Sequence, residues 1–124
     1  MAESYDTTTP GKSPAFQFYA KDFDSGTRAL SAEEVGSYIR FLCHQWDKGS
    51  IPRDLESLAR IAGISLTRMR RVWVHLEGYF ILDPDNDSRT RLLNVRLERE
   101  RLKQATRRAA LIANGKLGGR PRNQ

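Results

Sequence analysis

The clearest hydrophobic pattern in the chain lies between Ser31 and Gly49. Val35, Tyr38, Ile39, Leu42, Cys43 and Trp46 recur at steps of three and four residues, one face of a 3.6-residue repeat, and predict an amphipathic helix. Ser31 followed by Glu34 has the spacing of a capping box that opens such a helix, and Gly49 supplies its stop. Cys43 lies on the stripe and is expected as a small core residue; His44 lies off it, as a surface or second-layer side chain. After Ile51-Pro52, Asp54 can cap a short second helix whose apolar positions Leu55, Leu58, Ala59 and Ala62 share a face, with Gly63 ending it. Gly63-Ile64-Ser65 then leads into a third helix with Ser65 as its N-cap. A short helix, a tight glycine-containing turn and a second helix form the helix-turn-helix pattern.

On a wheel of 100° per residue, the third helix gathers Leu66, Met69, Val72, Trp73 and Leu76 into one arc of about 120°, the expected core face. Thr67 and Arg71 centre the opposite arc, flanked by Arg68, Arg70, Val74 and His75, and Gly78 ends the helix. Tyr79 to Leu82 and Thr90 to Val95 read as two short strands around the turn-rich stretch Asp83 to Arg89, which makes a hairpin. Ahead of the helices, Ala15 to Tyr19 reads as a short strand and Lys21 to Arg28 as a helical turn interrupted by Gly26. Residues 1–13 are expected as a disordered lead, 14–95 as the folded domain, 96–113 as a basic helix ended by Asn114-Gly115, and 114–124 as a flexible basic tail. The element order predicts a mainly α fold with a small β-hairpin: a winged helix-turn-helix with a short N-terminal strand, a three-helix core, a two-stranded wing and a basic C-terminal helix.

Composition changes this picture mainly through the placement of charge. The net charge of the 124 residues is +6, yet residues 1–95 hold 12 Lys and Arg against 13 Asp and Glu, while residues 96–124 hold 9 against 2. An excess confined to the last quarter of the chain points to an anionic partner, first of all nucleic acid. The length fits one domain. No apolar run approaches the roughly 20 residues of a membrane span, and the start lacks a signal-peptide core, so a cytoplasmic protein without membrane contact is expected. One cysteine and two histidines leave no internal disulfide and no Cys/His zinc site.

The fold and the charge together predict contact with double-stranded DNA. Ser65, Thr67, Arg68, Arg70 and Arg71 head the recognition helix; Thr67, Arg68 and Arg71 are the candidates for base edges and Arg70 for phosphate, since an arginine can grip guanine O6 and N7 with two parallel hydrogen bonds. Arg89 and Arg91 are the basic side chains of the wing, whose acidic tip, Asp83, Asp85 and Asp87, would be repelled by phosphate. That Asp-x-Asp-x-Asp run is no calcium loop: its sixth position is Ser88 and its twelfth Asn94, where glycine and a bidentate glutamate are needed. Arg96, Arg99, Arg107 and Arg108, with Arg101 and Lys103, suit the tracking of phosphates along the last helix, and Leu102, Ala105, Ala109 and Ile112 form a narrow seam there for packing on the domain or on a second copy, a possible homodimer. Gly119-Arg120-Pro121-Arg122 is similar to a minor-groove hook, with Arg120 and Arg122 as its cations. Neither a nucleophile motif nor a phosphate-binding glycine loop is present, and the expectation is a non-catalytic protein with no metal and no cofactor.

Several stretches resemble a known family. Ser13-Pro14-Ala15-Phe16-Gln17-Phe18-Tyr19, Asp22-Phe23, Ser31 to Arg40, Leu42-Cys43-His44-Gln45-Trp46, Gly49-Ser50-Ile51-Pro52, Leu58 to Ser65, Val72-Trp73 and Asn94 to Glu100 are similar to a family of prophage and bacterial proteins of formally unknown function, over about residues 13–122. The resemblance implies a winged-helix, replisome-organiser-like protein of phage replication initiation, which binds DNA and recruits replication proteins such as a helicase or its loader. Two other readings stay open: a transcriptional regulator, and a protein-interaction module that docks on a replication factor without touching DNA.

Overall fold

Local capping sets most of the helix boundaries. The computed structural model describes residues 14–118; the lead 1–13 and the residues from 119 onward, with Arg120 and Arg122, lie outside the described residues. Helix α1 spans Ala20–Gly26 and α2 spans Ala32–Lys48. At the head of α2 the Ser31 hydroxyl accepts the Glu34 N–H, while the Glu34 carboxylate accepts the Ser31 N–H at 2.8 Å, so two otherwise orphaned donors are satisfied together. Helix α3, Leu55–Ala62, starts at Asp54, whose carboxylate accepts the Ser57 N–H at 2.9 Å. Helix α4, Leu66–Leu76, starts at Ser65, whose hydroxyl accepts the Arg68 N–H at 3.2 Å. Gly49 and Gly63 close α2 and α3 at φ of +96° and +78°, a conformation that a β-carbon disfavours. A short 3-10 turn, Glu77–Tyr79, follows α4.

The fold is mainly helical with one small antiparallel sheet. Strands β1 (Ile51–Pro52), β2 (Ile81–Leu82) and β3 (Arg91–Leu93) lie in the order β1-β3-β2. Ile51 pairs with Leu92, Ile81 with Leu93 and Leu82 with Leu92. The hairpin expected from 79–95 is therefore present in shortened form, and it gains a third strand. That strand is not the one expected over Ala15–Tyr19, which forms no strand. Strand pairing is a non-local matter: Ile51–Pro52 is brought alongside β3 by the left-handed turn at Gly49, and as an edge strand it tolerates a proline without an N–H. The aromatic run before α1 instead leaves Phe18 exposed, its ring 5.0 Å from that of Phe23.

Phe41, Leu58, Met69, Val72 and Leu76 form the centre where α2, α3 and α4 meet, with Ile51, Leu92 and Leu93 from the sheet. Aromatic rings run through it without a break: Phe23 stacks on Tyr38, Tyr38 meets Tyr79 and Phe80, and Phe80 meets both Trp73 and Phe41. The buried side of α2 is turned relative to its apolar stripe. Phe41 and Gln45 are fully buried, whereas Cys43 is exposed and not the core residue expected.

A polar knot compensates Gln45. Its carboxamide donates to the Asn94 carbonyl at 3.1 Å and accepts the Asn94 N–H at 2.6 Å. The Asn94 side chain donates to the Tyr79 carbonyl (2.9 Å) and the Tyr38 hydroxyl (3.2 Å), and accepts the Leu97 N–H at 2.9 Å. Asn94 thus caps the last helix, α5, Val95–Gly118. That helix passes through Asn114-Gly115 instead of ending there. Residues 18–98 form one compact unit; the described residues 14–17 and 99–118 belong to a second.

Candidate nucleic-acid interface

Helices α3 and α4 are joined by Gly63-Ile64-Ser65, so the cap of one and the cap of the next nearly touch in sequence and the connection is fixed at both ends. The core face of α4 is buried through Met69, Val72 and Leu76, which turns Thr67, Arg70, Arg71 and Val74 outward at the spacing i, i+3, i+4, i+7. All four are exposed. Arg70 and Arg71 form no ion pair or hydrogen bond among the described residues. Val74, between Arg70 and Arg71 on the helical wheel, is 64% exposed.

One margin of this face is already occupied. Arg68, expected as a base-edge residue, ion-pairs through Nη2 with an oxygen of Glu33 that is itself shielded from solvent. His75 Nε2 lies 3.8 Å from Glu34 Oε2, a pair that becomes ionic when the imidazole is protonated. The first turn of α2 therefore sets two carboxylates against that margin of α4, neutralising Arg68 there, and leaves Arg70 and Arg71, on the rest of the outer face, without partners among the described residues. Ser65 is held by its capping role.

The remaining arginines sort the same way. Arg91 is not a free cation of the hairpin: its guanidinium donates from Nε to the Ser50 hydroxyl and from Nη2 to the Ser50 carbonyl, both at 2.9 Å, tying β3 to the chain after α2. Arg96 pairs with Asp22 at 2.6 Å. Arg89 is exposed, in a left-handed backbone conformation at φ 59°. The loop around it is organised by Asn86, whose carboxamide oxygen accepts the Thr90 N–H at 2.8 Å and the Thr90 hydroxyl at 3.3 Å, while the Arg53 guanidinium donates to the Arg89 carbonyl at 3.1 Å. On α5, Arg99 and Arg107 are exposed, and Arg108 is half-buried. Leu102 and Ile112, of the expected seam, are 61% and 60% exposed. Sequence reasoning missed Arg40. Its Nη1 would stand 3.7 Å from a β-carbon at Gly63, which sets an exposed cation beside the α3–α4 turn; its only sequence signal was a position off the apolar stripe of α2.

Hydrogen bonding from the Ser57 side chain and then from its backbone N–H holds the Asp54 carboxyl below the usual carboxylate range. Burial pushes the Tyr38 phenol up, opposed by the Asn94 hydrogen bond. His44 is lowered by burial first and then by Arg91 and Lys48. No three His, Cys, Asp or Glu side chains gather as a metal site among the described residues. Nor is any described helix long and apolar enough to cross a membrane.

A family model described as a protein of unknown function (DUF1376) matches residues 14–101. The chain belongs to this family. No curated protein and no solved structure matches the chain. The DUF1376 match takes in α1 to α4, the sheet and the start of α5, and so includes Arg70, Arg71 and Arg89. It stops short of Arg107 and Arg108, a narrower span than the resemblance over residues 13–122.

Proposed function

We propose that this DUF1376 chain is a winged-helix protein that binds double-stranded DNA, with α3 and α4 as the helix-turn-helix, α4 as the recognition helix and the β2–β3 hairpin as the wing. The observation that carries this reading is the pair of unpartnered guanidinium groups, Arg70 and Arg71, on the outer face of α4. A cation held outward by a packed underside, at the second helix of a tight helical pair, suits the major groove, where arginine forks onto guanine. Arg89 at the wing and Arg40 beside the turn would meet phosphates, and Arg99 and Arg107 are further exposed cations on α5. A cytoplasmic role in replication initiation, with a helicase or its loader as partner, rests on the family resemblance; a transcriptional regulator would use the same face.

A second reading is favoured by the exposed Leu102 and Ile112, which suit a protein partner. A salt-titrated binding measurement on duplex and single-stranded DNA decides between the two. Arg70→Ala and Arg71→Ala are each expected to cost about 1 to 3 kcal/mol on a preferred duplex, with the fold unchanged. Equal and negligible losses from both would leave protein docking as the function.

A further inference from the structure

We infer that Val74 reads the 5-methyl group of a thymine, so that the duplex preferred by α4 carries a thymine within a step or two of the guanines gripped by Arg70 and Arg71. This rests on the DNA-binding reading above and adds to it the chemistry of the sequence that is read.

Only part of α4 can enter a groove. Glu33 and Glu34 stand against the side of the helix that carries Arg68 and His75, and carboxylates are repelled by a phosphate backbone. The groove therefore meets the rest of the outer face, where Thr67, Arg70, Arg71 and Val74 project together. The spacing i, i+3, i+4, i+7 places four side chains in a strip along about two turns of helix, the length over which a recognition helix touches successive base pairs.

Val74 is the part of that strip that phosphate chemistry does not explain. No neighbouring side chain covers it at 64% exposure, and a polar residue there would cost the fold nothing. Among the groups displayed in the major groove, only the thymine methyl is apolar, and aliphatic side chains recognise it by burial. The adjacent guanidinium groups supply the attraction that brings this valine to the base edges. A valine without arginines beside it would suit a protein surface; this one lies between the cations of Arg70 and Arg71 on one strip.

The test replaces thymine with uracil, which removes the methyl group and leaves every hydrogen-bonding atom in place. Duplexes enriched by the full chain from a randomised library supply the probe, and each thymine of the selected site is changed singly. One position should weaken binding about fourfold, the worth of one buried methyl group. Val74→Ala, at an exposed site, should fold as the parent does and lose that sensitivity, while Val74→Thr, which keeps one methyl, should retain part of it. Enrichment of a site at which no uracil matters, or a Val74→Ala chain as uracil-sensitive as the parent, overturns this inference and leaves DNA binding standing. A chain that enriches no duplex overturns both.

Discussion

Two regions of the molecule treat their polar groups in opposite ways. At the junction of α2, β3 and α5, the Gln45 carboxamide, the Asn94 side chain and backbone, and the Arg91 guanidinium all find partners inside the chain. On the outer face of α4, less than two turns of helix present two arginines and a valine with no partner among the described residues. Burial of a polar group is tolerated only when its hydrogen bonds are made, so the junction is a matter of stability. Unsatisfied cations in water cost nothing while the chain is alone and become useful when an anion arrives. The difference teaches that an arginine is interpretable only through its partner: Arg91 and Arg71 are the same residue with opposite meanings.

Changes at the junction should be felt as lost stability alone. Asn94→Ala is expected to have the largest effect, about 3 kcal/mol in urea unfolding, because it removes the α5 cap and leaves the Tyr79 carbonyl and Tyr38 hydroxyl unpaired. Arg91→Ala should cost about 1 kcal/mol of stability through the Ser50 bonds, with duplex affinity per folded molecule unchanged; a loss of affinity with stability intact would erase the distinction between the two regions. Glu33→Gln probes the margin between them. It frees Arg68, and should tighten duplex binding roughly threefold and steepen the salt dependence by about one phosphate contact. In an Arg68→Ala background the same change should give no such gain.

The smallest effect concerns pH. His44 titrates below its ordinary 6.5 in the folded chain because of burial, Arg91 and Lys48. As pH falls, the unfolded chain therefore takes up the proton first. The contribution of this group to stability is complete above 6.5 and declines as the pH falls through 6.5 toward the lower folded value. Thermal unfolding of His44→Gln should show a shallower pH dependence across that window than the parent.

How much of this could be read beforehand follows from the range of each interaction. The caps at Ser31, Asp54 and Ser65, and the stops at Gly49 and Gly63, act within four residues, and the sequence predicts them correctly together with the packed underside of α4. The strand expected at Ala15–Tyr19 fails because an alternating pattern names no partner; Ile51–Pro52, too short to show a pattern, has one. The exposure of Cys43 and burial of Gln45 show the same gap. Six apolar positions on α2 fix a period but leave its phase loose, and Gln45 enters the interior with hydrogen bonds to Asn94, 49 residues away. On α4 the outward arc was legible, but the capture of Arg68 by Glu33 was not, since nothing local links the first turn of one helix to another.

The loop between β2 and β3 carries a consequence of its own. Asn86 fastens Thr90, and Arg89 is locked in a left-handed turn that a side chain other than glycine seldom adopts. Each residue frozen on contact would otherwise forfeit about 1–2 kcal/mol of chain entropy. Here that loss has been met during folding, so whatever docks on this tip finds a finished knuckle, and shape rather than plasticity governs what it accepts.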